Sequence, residues 1–282
     1  ETREELEEGV CEYLADPDTY LFAWLGEYDE KTGEVEVRSF AGHHDGYLDD
    51  VEITVGDEPT GEGPTGRAVT TGEVQVCQEI RQNPEYEPWR GPALERGYES
   101  SAAVPLLYEG ELYGVLNLYA GRPRAFDDDE IRLLEELAEN IAFALYSYEN
   151  RAALRRTERR LSVALDAANA GVLDWDISES VVSCDEGMAR LLGLGEEPAD
   201  VRVTELLSYV HPDDGTALVE GVEEANPDDR VSLTFRVGDD DTRWLSAEGE
   251  VVETDDGEPT RFLGVCTDIT RSVERQHELE EG

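Results

Sequence analysis

The chain contains a single lysine, Lys31, among its 23 cationic residues, a single methionine, and four cysteines in 282 residues. Cys11, Cys77, Cys184 and Cys266 stand far apart and form no Cys-x-x-Cys pair. That spacing argues against a disulfide framework or a structural zinc site and reads as buried, reduced thiols in a cytoplasmic protein. Long apolar runs are also missing. The longest, Ala102 to Tyr108, is interrupted by Pro105 and falls far short of the roughly 20 residues that cross a bilayer. No cationic start leading into an apolar block marks a signal peptide. The chain begins at Glu1 without Met, which reads as a segment of something longer.

What is abundant is acid. Asp and Glu number 68 and the net charge is −45, spread along the chain rather than gathered in a tail. Such a surface repels itself unless salt screens it, so the expected setting is the high-salt interior of a halophile. A basic binding partner is the rival explanation. Either way the charge argues against direct nucleic-acid or anionic-membrane binding. At 39% hydrophobic the chain has enough apolar material for two modest cores, and its length predicts about two domains.

Hairpins punctuate the chain. Tyr20 to Tyr28 reads as a buried strand, Asp29 to Gly33 as a turn and Glu34 to Phe40 as the returning strand. Ser101–Leu107 with Leu112–Tyr119, and Val172–Ile177 with Ser180–Cys184, form two more hairpins. Arg230–Val237, Thr242–Val252 and Pro259–Asp268 close the second half around turns at 238–241 and 255–258. Short helices are expected near residues 1–15, 67–71 and 186–194. Another should start at His211-Pro-Asp-Asp214, with the proline in its first turn. Gly61-Glu-Gly-Pro-Thr-Gly66 lacks the Lys-Ser/Thr of a phosphate loop and more simply allows a tight chain approach.

Between the halves, Asp127 and Glu130 resemble a capping box that opens a helix of about 40 residues. Ile131, Leu134, Ala138, Ile141, Leu145 and Tyr148 recur at spacings of three and four, the seam of a coiled-coil dimer. The pattern falters at Arg155 and Arg159 and resumes on another face through Leu154, Leu161 and Leu165. Arg151, Arg155, Arg156, Arg159 and Arg160 concentrate cations here. They read as flanking charge on a coiled coil in preference to a nucleic-acid patch.

Two resemblances follow. Gly61-x-Gly-Pro-x-Gly66, Ser100-Ser-Ala-Ala-Val-Pro-Leu106, Gly110-Glu-Leu-Tyr-Gly-Val-Leu-Asn-Leu118 and Phe126-x3-Glu130-x3-Leu134-x2-Leu137-Ala138 resemble a GAF domain over residues 1–148. Gly171-Val-Leu-Asp-Trp-Asp176, His211-Pro-Asp-Asp214, Phe235-Arg236, Arg243-Trp-Leu245, Gly257-x-Pro259 and Gly264-x3-Asp268-Ile-Thr270 resemble a PAS domain over 158–270. The connecting signalling helix would occupy 130–168, and residues 271–282 would begin the helix that leads to an output. The resemblance implies an α+β fold of two antiparallel sheets flanked by helices. It also implies sensing rather than catalysis and a parallel homodimer through the connecting helix. The expected whole is the sensory region of a histidine kinase. The alternative is the regulatory region of a bacterio-opsin-activator-like helix-turn-helix transcription regulator, and a stand-alone enzyme is the third reading.

No flavin-adduct, bilin, cyclic-nucleotide or haem signature is found, and His43-His44 lacks the second ligand pair of a metal site. His277, in Arg275-Gln-His-Glu278, reads as a solvent-facing coil position rather than a phosphoacceptor. Any small-molecule ligand is therefore unidentified. Its pocket candidates in the first half are Phe22, Trp24, Cys77, Trp89, Val104, Leu106 and Leu116. In the second half they are Trp175, Cys184, Met188, Leu192, Leu233, Phe235, Leu263 and Val265. Asp268, Ile269 and Thr270 mark the signal exit. Each pocket candidate also has a plain reading as core, because a sheet needs an apolar face.

Overall fold

The computed structural model describes residues 2–16, 18–56, 59–225, 230–238, 242–255 and 258–280. The expected turn residues 239–241 and 256–257, and the chain end at 281–282, lie outside the described residues. The chain divides into two units, Glu1–Leu154 and Arg155–Gly282.

In the first unit an antiparallel sheet has the order β2-β1-β5-β4-β3. Its strands are β1 (Phe22–Asp29), β2 (Glu34–Gly42), β3 (Gln75–Cys77), β4 (Ser100–Tyr108) and β5 (Glu111–Ala120). Both faces are covered, so β1 begins with five consecutive positions at or near full burial. On one face α1 (Arg3–Leu14) and the start of α4 (Asp128–Ala167) bury Cys11, Leu134, Ile141 and Leu145 against Leu25, Val104, Leu106, Leu116 and Leu118. The other face packs an aromatic cluster of Phe22, Trp24, Tyr47, Tyr86, Trp89, Tyr98 and Tyr119 beneath α2 (Pro64–Thr71) and α3 (Glu87–Glu95). Phe22 stacks on Tyr98 at 5.9 Å between ring centroids.

The long helix runs for 40 residues. Asp127 Oδ1 caps it, accepting from the backbone N–H of Glu130 at 2.9 Å. Its heptad positions do not form the expected dimer seam. Leu134, Ala138, Ile141 and Leu145 are buried by the chain's own sheet, and Ile131 packs at the edge of the same core. Tyr148, half-buried, continues the row. Spacings of three and four serve helix-on-sheet packing as well as a coiled coil, so the seam is occupied from within.

The second unit holds an antiparallel sheet of order β8-β7-β6-β11-β10-β9. These are β6 (Ala170–Asp176), β7 (Val181–Cys184), β8 (Ala199–Arg202), β9 (Arg230–Val237), β10 (Arg243–Asp255) and β11 (Glu258–Asp268). Helices α5 (Glu186–Leu192), α6 (Val203–Leu206) and α7 (Gly215–Glu223) accompany them, and α8 (Thr270–Glu280) follows β11. Phe262 and Cys266 of β11 point into the core, whereas Leu263 and Val265 are 42% and 39% exposed. Those two pocket candidates therefore sit on the outer face, one residue out of phase with the pleat. The helix expected at His211 starts later, at Gly215, because the side chains of the preceding turn are used elsewhere.

Candidate functional site

Each unit contains a cavity between its sheet and its helices. In the first unit a space of about 20 Å³ is lined by residues that include Tyr47, Thr65, Tyr86, Trp89, Asn117 and Tyr119. The glycine loop builds one wall. A Cβ added at Gly63 would lie 2.3 Å from the Trp89 ring, so only glycine lets the chain pass there. The Trp89 indole is held by donating to the Glu52 carbonyl at 2.9 Å. Thr65 Oγ1 donates to Asn117 Oδ1 at 2.7 Å. Burial, followed by the nearby Tyr119 phenol, pushes the phenols of Tyr47 and Tyr86 well above the ordinary tyrosine range. This cavity offers hydroxyls, an amide and π-faces. Among the described residues it is lined by no carboxylate, imidazole or amine, so it suits a neutral polar molecule.

The second cavity, about 30 Å³, has walls that include Leu173, Trp175, Met188, Leu218, Leu233 and Phe235. Among the described residues, no charged one lines it. Its pocket thiol candidate, Cys184, belongs to the same core but not to the cavity wall. Burial raises the Cys184 thiol to about 11 and the Cys266 thiol to about 12, so both are inert at neutral pH.

The structure sorts the pocket candidates by face. Trp89 lines the first cavity, and Trp175, Met188, Leu233 and Phe235 line the second. Phe22, Trp24 and Cys77 lie in the aromatic core behind the first cavity, and Leu192 in the core of the second unit. Val104, Leu106 and Leu116 face α4 on the opposite side of the sheet, which removes them from the pocket. Tyr47, Thr65, Tyr86, Asn117 and Tyr119 were missed. The one available signal was Asn117, a polar residue within the apolar run Val115–Tyr119. Of the paired histidines, His43 lies 3.3 Å from Asp45, and His44 Nδ1 accepts from the Gly46 N–H at 3.2 Å.

The three exit residues form one cluster. The Trp244 N–H donates to Thr270 Oγ1 at 2.9 Å, and Thr270 Oγ1 donates to Asp268 Oδ1 at 2.6 Å. The Ile269 N–H donates to the Trp244 carbonyl at 2.8 Å. The start of α8 is thus fastened to the first residues of β10. On the neighbouring strand β9, the Arg236 guanidinium lies 5.5 Å from the Trp244 ring centroid. Arg236 in turn grips Asp214, the residue before α7, through its Nη2 at 2.7 Å, its Nε at 2.9 Å and its backbone N–H at 2.9 Å. An unbroken set of contacts therefore runs from α7, whose Leu218 lines the cavity, to α8.

These Arg236 hydrogen bonds lower the Asp214 carboxyl to about 2 from its ordinary 3.8. A carboxyl depressed in the folded state adds stability above its unfolded value, and that stability is lost as pH falls through the folded one. Asp214→Asn should cost about 1 kcal/mol at neutral pH. The difference from the parent should hold down to pH 5 and close between about pH 4 and pH 2. Denaturant melts across that range in molar salt test this, and a gap persisting at the acid end would assign the effect to packing.

Two antiparallel-sheet domains in tandem, each with a neutral cavity, define the class of a sensory signalling region. The GAF domain family matches residues 1–145, and the chain belongs to that family. The PAS fold matches residues 181–266. No curated protein matches the chain. Among solved structures, a domain of a putative two-component sensor histidine kinase from Sinorhizobium meliloti 1021 is 20% identical, with 54% of this chain and 96% of that one covered and a TM-score of 0.42. A sensory box histidine kinase/response regulator from Burkholderia thailandensis E264 is 25% identical, over 43% and 92%, with a TM-score of 0.35. The type II free methionine-R-sulfoxide reductase of Thermoplasma acidophilum is 21% identical, over 52% and 93%, with a TM-score of 0.42. Among the described residues, no helix is long and apolar enough to cross a membrane.

Proposed function

We propose that this chain is the sensory region of a cytoplasmic histidine kinase working in a high-salt interior, itself without catalytic activity. The observation that carries the reading is the contact path from the cavity wall at α7, through Asp214, Arg236 and Trp244, to the fastened start of α8. A ligand that displaces α7 would strain the Asp214–Arg236 pair and so bear on the exit helix. The charge of −45 supports the molar-salt setting, where screening is short-ranged.

A parallel homodimer belongs to this proposal, but through a different face of α4 from the buried seam. Asn140, Phe143, Ser147, Asn150, Leu154, Thr157, Leu161 and Ala164 recur at spacings of three and four and carry no charge. Leu154 and Leu161 are 60% and 56% exposed, and every residue from 151 to 164 is exposed. A helical stretch without packing is marginal in water, so a second copy presenting the same stripe is the fitting cover. Sedimentation in molar salt should give twice the monomer mass, and Leu154→Arg with Leu161→Arg should halve it. A parent protein that sediments as a monomer overturns this part.

The full-length protein should acquire labelled phosphate from ATP on a histidine, in an amount that Asp268→Ala alters. The 282-residue chain should turn over neither ATP nor free methionine-R-sulfoxide, and turnover of either ends the non-catalytic reading. Operator-DNA binding without phosphotransfer would instead assign the chain to the bacterio-opsin-activator group.

A further inference from the structure

Glu7 of α1 is 1% exposed, a position that a carboxylate holds only when it is paired. Two guanidinium groups reach it. Arg3 donates from Nε to Glu7 Oε1 at 2.7 Å, and Arg38 Nε lies 3.6 Å from Glu7 Oε2. Arg38 is delivered by an irregularity in the sheet. Leu25 of β1 pairs with Ser39 and Gly26 with Val37, so Arg38 is the extra residue of a β-bulge, a device that re-aims a side chain. Arg3 extends two further arms. Its Nη2 donates to Glu27 Oε2 of β1 at 3.1 Å, and its Nη1 donates to Glu149 Oε1 of α4 at 2.7 Å. One planar guanidinium thus joins α1, β1 and α4, with a fork geometry that a lysine ammonium does not offer.

The place of Glu149 on the helix gives this node its consequence. Before it, the rings of Phe143 and Tyr146 lie 5.2 Å and 4.8 Å from the Tyr108 ring, centroid to centroid. After it, every residue from 150 to 164 is exposed. Glu149 is therefore where the first unit lets go of α4. The arms of Arg3 also differ in their access to water. The Glu7 arm is buried, whereas the side chains of Arg3 and Glu149 are 17% and 46% exposed. Salt weakens an ion pair that is open to water and scarcely touches a buried one. We infer that Arg3 is a salt-responsive latch on the connecting helix. As ionic strength falls, the Glu149 arm closes and α4 is held about one turn further. As ionic strength rises, that arm opens while Glu7 keeps the guanidinium in place. Ionic strength then sets the length of free helix between the units, an input separate from both cavities and independent of what either one binds.

The test follows amide hydrogen exchange by NMR in the nitrogen-15-labelled 282-residue protein. KCl runs from the lowest concentration at which the parent melts cooperatively up to about 4 M. Glu149→Gln removes one arm and leaves the Glu7 pair intact. At the low end, the amides of residues 146–150 should exchange about threefold faster in this variant than in the parent, the effect of one partly exposed ion pair. The gap should close as KCl rises. The amides of residues 134–142, in the part of α4 packed on the sheet, should exchange equally in both proteins throughout. Glu139→Gln, at an exposed position of α4 outside the node, controls for the loss of one charge and should produce no gap. Equal exchange of 146–150 at low KCl overturns the inference. So does a gap that fails to narrow with KCl, or one that Glu139→Gln reproduces. The measurement needs neither ligand nor ATP, so failure of phosphotransfer control in the full-length protein would sink the sensory proposal and leave this result standing.

Discussion

Leu145→Arg should unfold the first unit and not merely separate two subunits. Leu145 is fully buried between α4 and the sheet, beside Ile141 and Ala142, which are buried with it. Arginine there removes a well-packed leucine and places a cation among apolar side chains, while the buried carboxylate of this unit, Glu7, is already engaged by Arg3. Loss of the apolar contacts together with an uncompensated buried charge is worth about 5 kcal/mol or more, comparable to the whole stability of a modest domain. In molar salt, the melt of the variant should lose the cooperative transition that reports on Trp24 and Trp89. Leu154→Arg, on the exposed side of the same helix, should keep that cooperative transition, lowered by no more than the loss of the proposed subunit contact. A Leu145→Arg protein that melts like the parent would mean that α4 does not rest on the sheet.

The second large effect is expected at Gly171. A Cβ there would lie 2.0 Å from the backbone nitrogen of Met188 and 2.4 Å from its Cα, and a Cβ at Gly187 would lie 2.3 Å from the Ala170 carbonyl oxygen. Both obstacles are backbone, so no rotamer change relieves them, and α5 would have to lift from β6. Lifting it also breaks the bridge made by Asp185 Oδ1, which accepts from Val172 N–H at 2.9 Å and Met188 N–H at 2.7 Å. Gly171→Ala should therefore destabilise the second unit by about 3 kcal/mol, the upper end of ordinary overpacking, and Gly171→Val should prevent its folding. The transition of the first unit serves as the internal control in the same melt. An alanine variant of parental stability would show that the two elements are not in backbone contact.

How much of this was legible in the sequence depended on whether a local signal had one structural meaning. The hairpins did, because turn residues such as Glu109-Gly110 sit between apolar runs. So did the long helix, with Asp127 at its start and no Pro or Gly before Gly171. The seam through Leu134, Ile141 and Leu145 had two meanings, since a sheet and a partner helix take the same spacing. Face assignment failed for a different reason. With both faces of the first sheet buried, β1, β4 and β5 lack the alternation that would separate Val104 and Leu116 from Asn117 and Tyr119. In β11 a slip of one residue exchanged Phe262 for Leu263. The three-residue strand Gln75–Cys77 and the four-residue strand Ala199–Arg202 are too short to show a period. The helix Glu87–Glu95 carries Pro92 inside it, a residue that weakens the helical signal there.

The division between charge and cavity sets how such a protein performs when its surroundings change. Its surface potential falls as ionic strength rises, because nearly all of the described carboxylates are outside and screened. Among the described residues neither cavity wall carries an acidic or basic side chain, so a neutral ligand would meet no charge whose screening alters its binding. On the proposed reading, solubility and folding would follow ionic strength, while recognition in the cavities would be spared that electrostatic dependence.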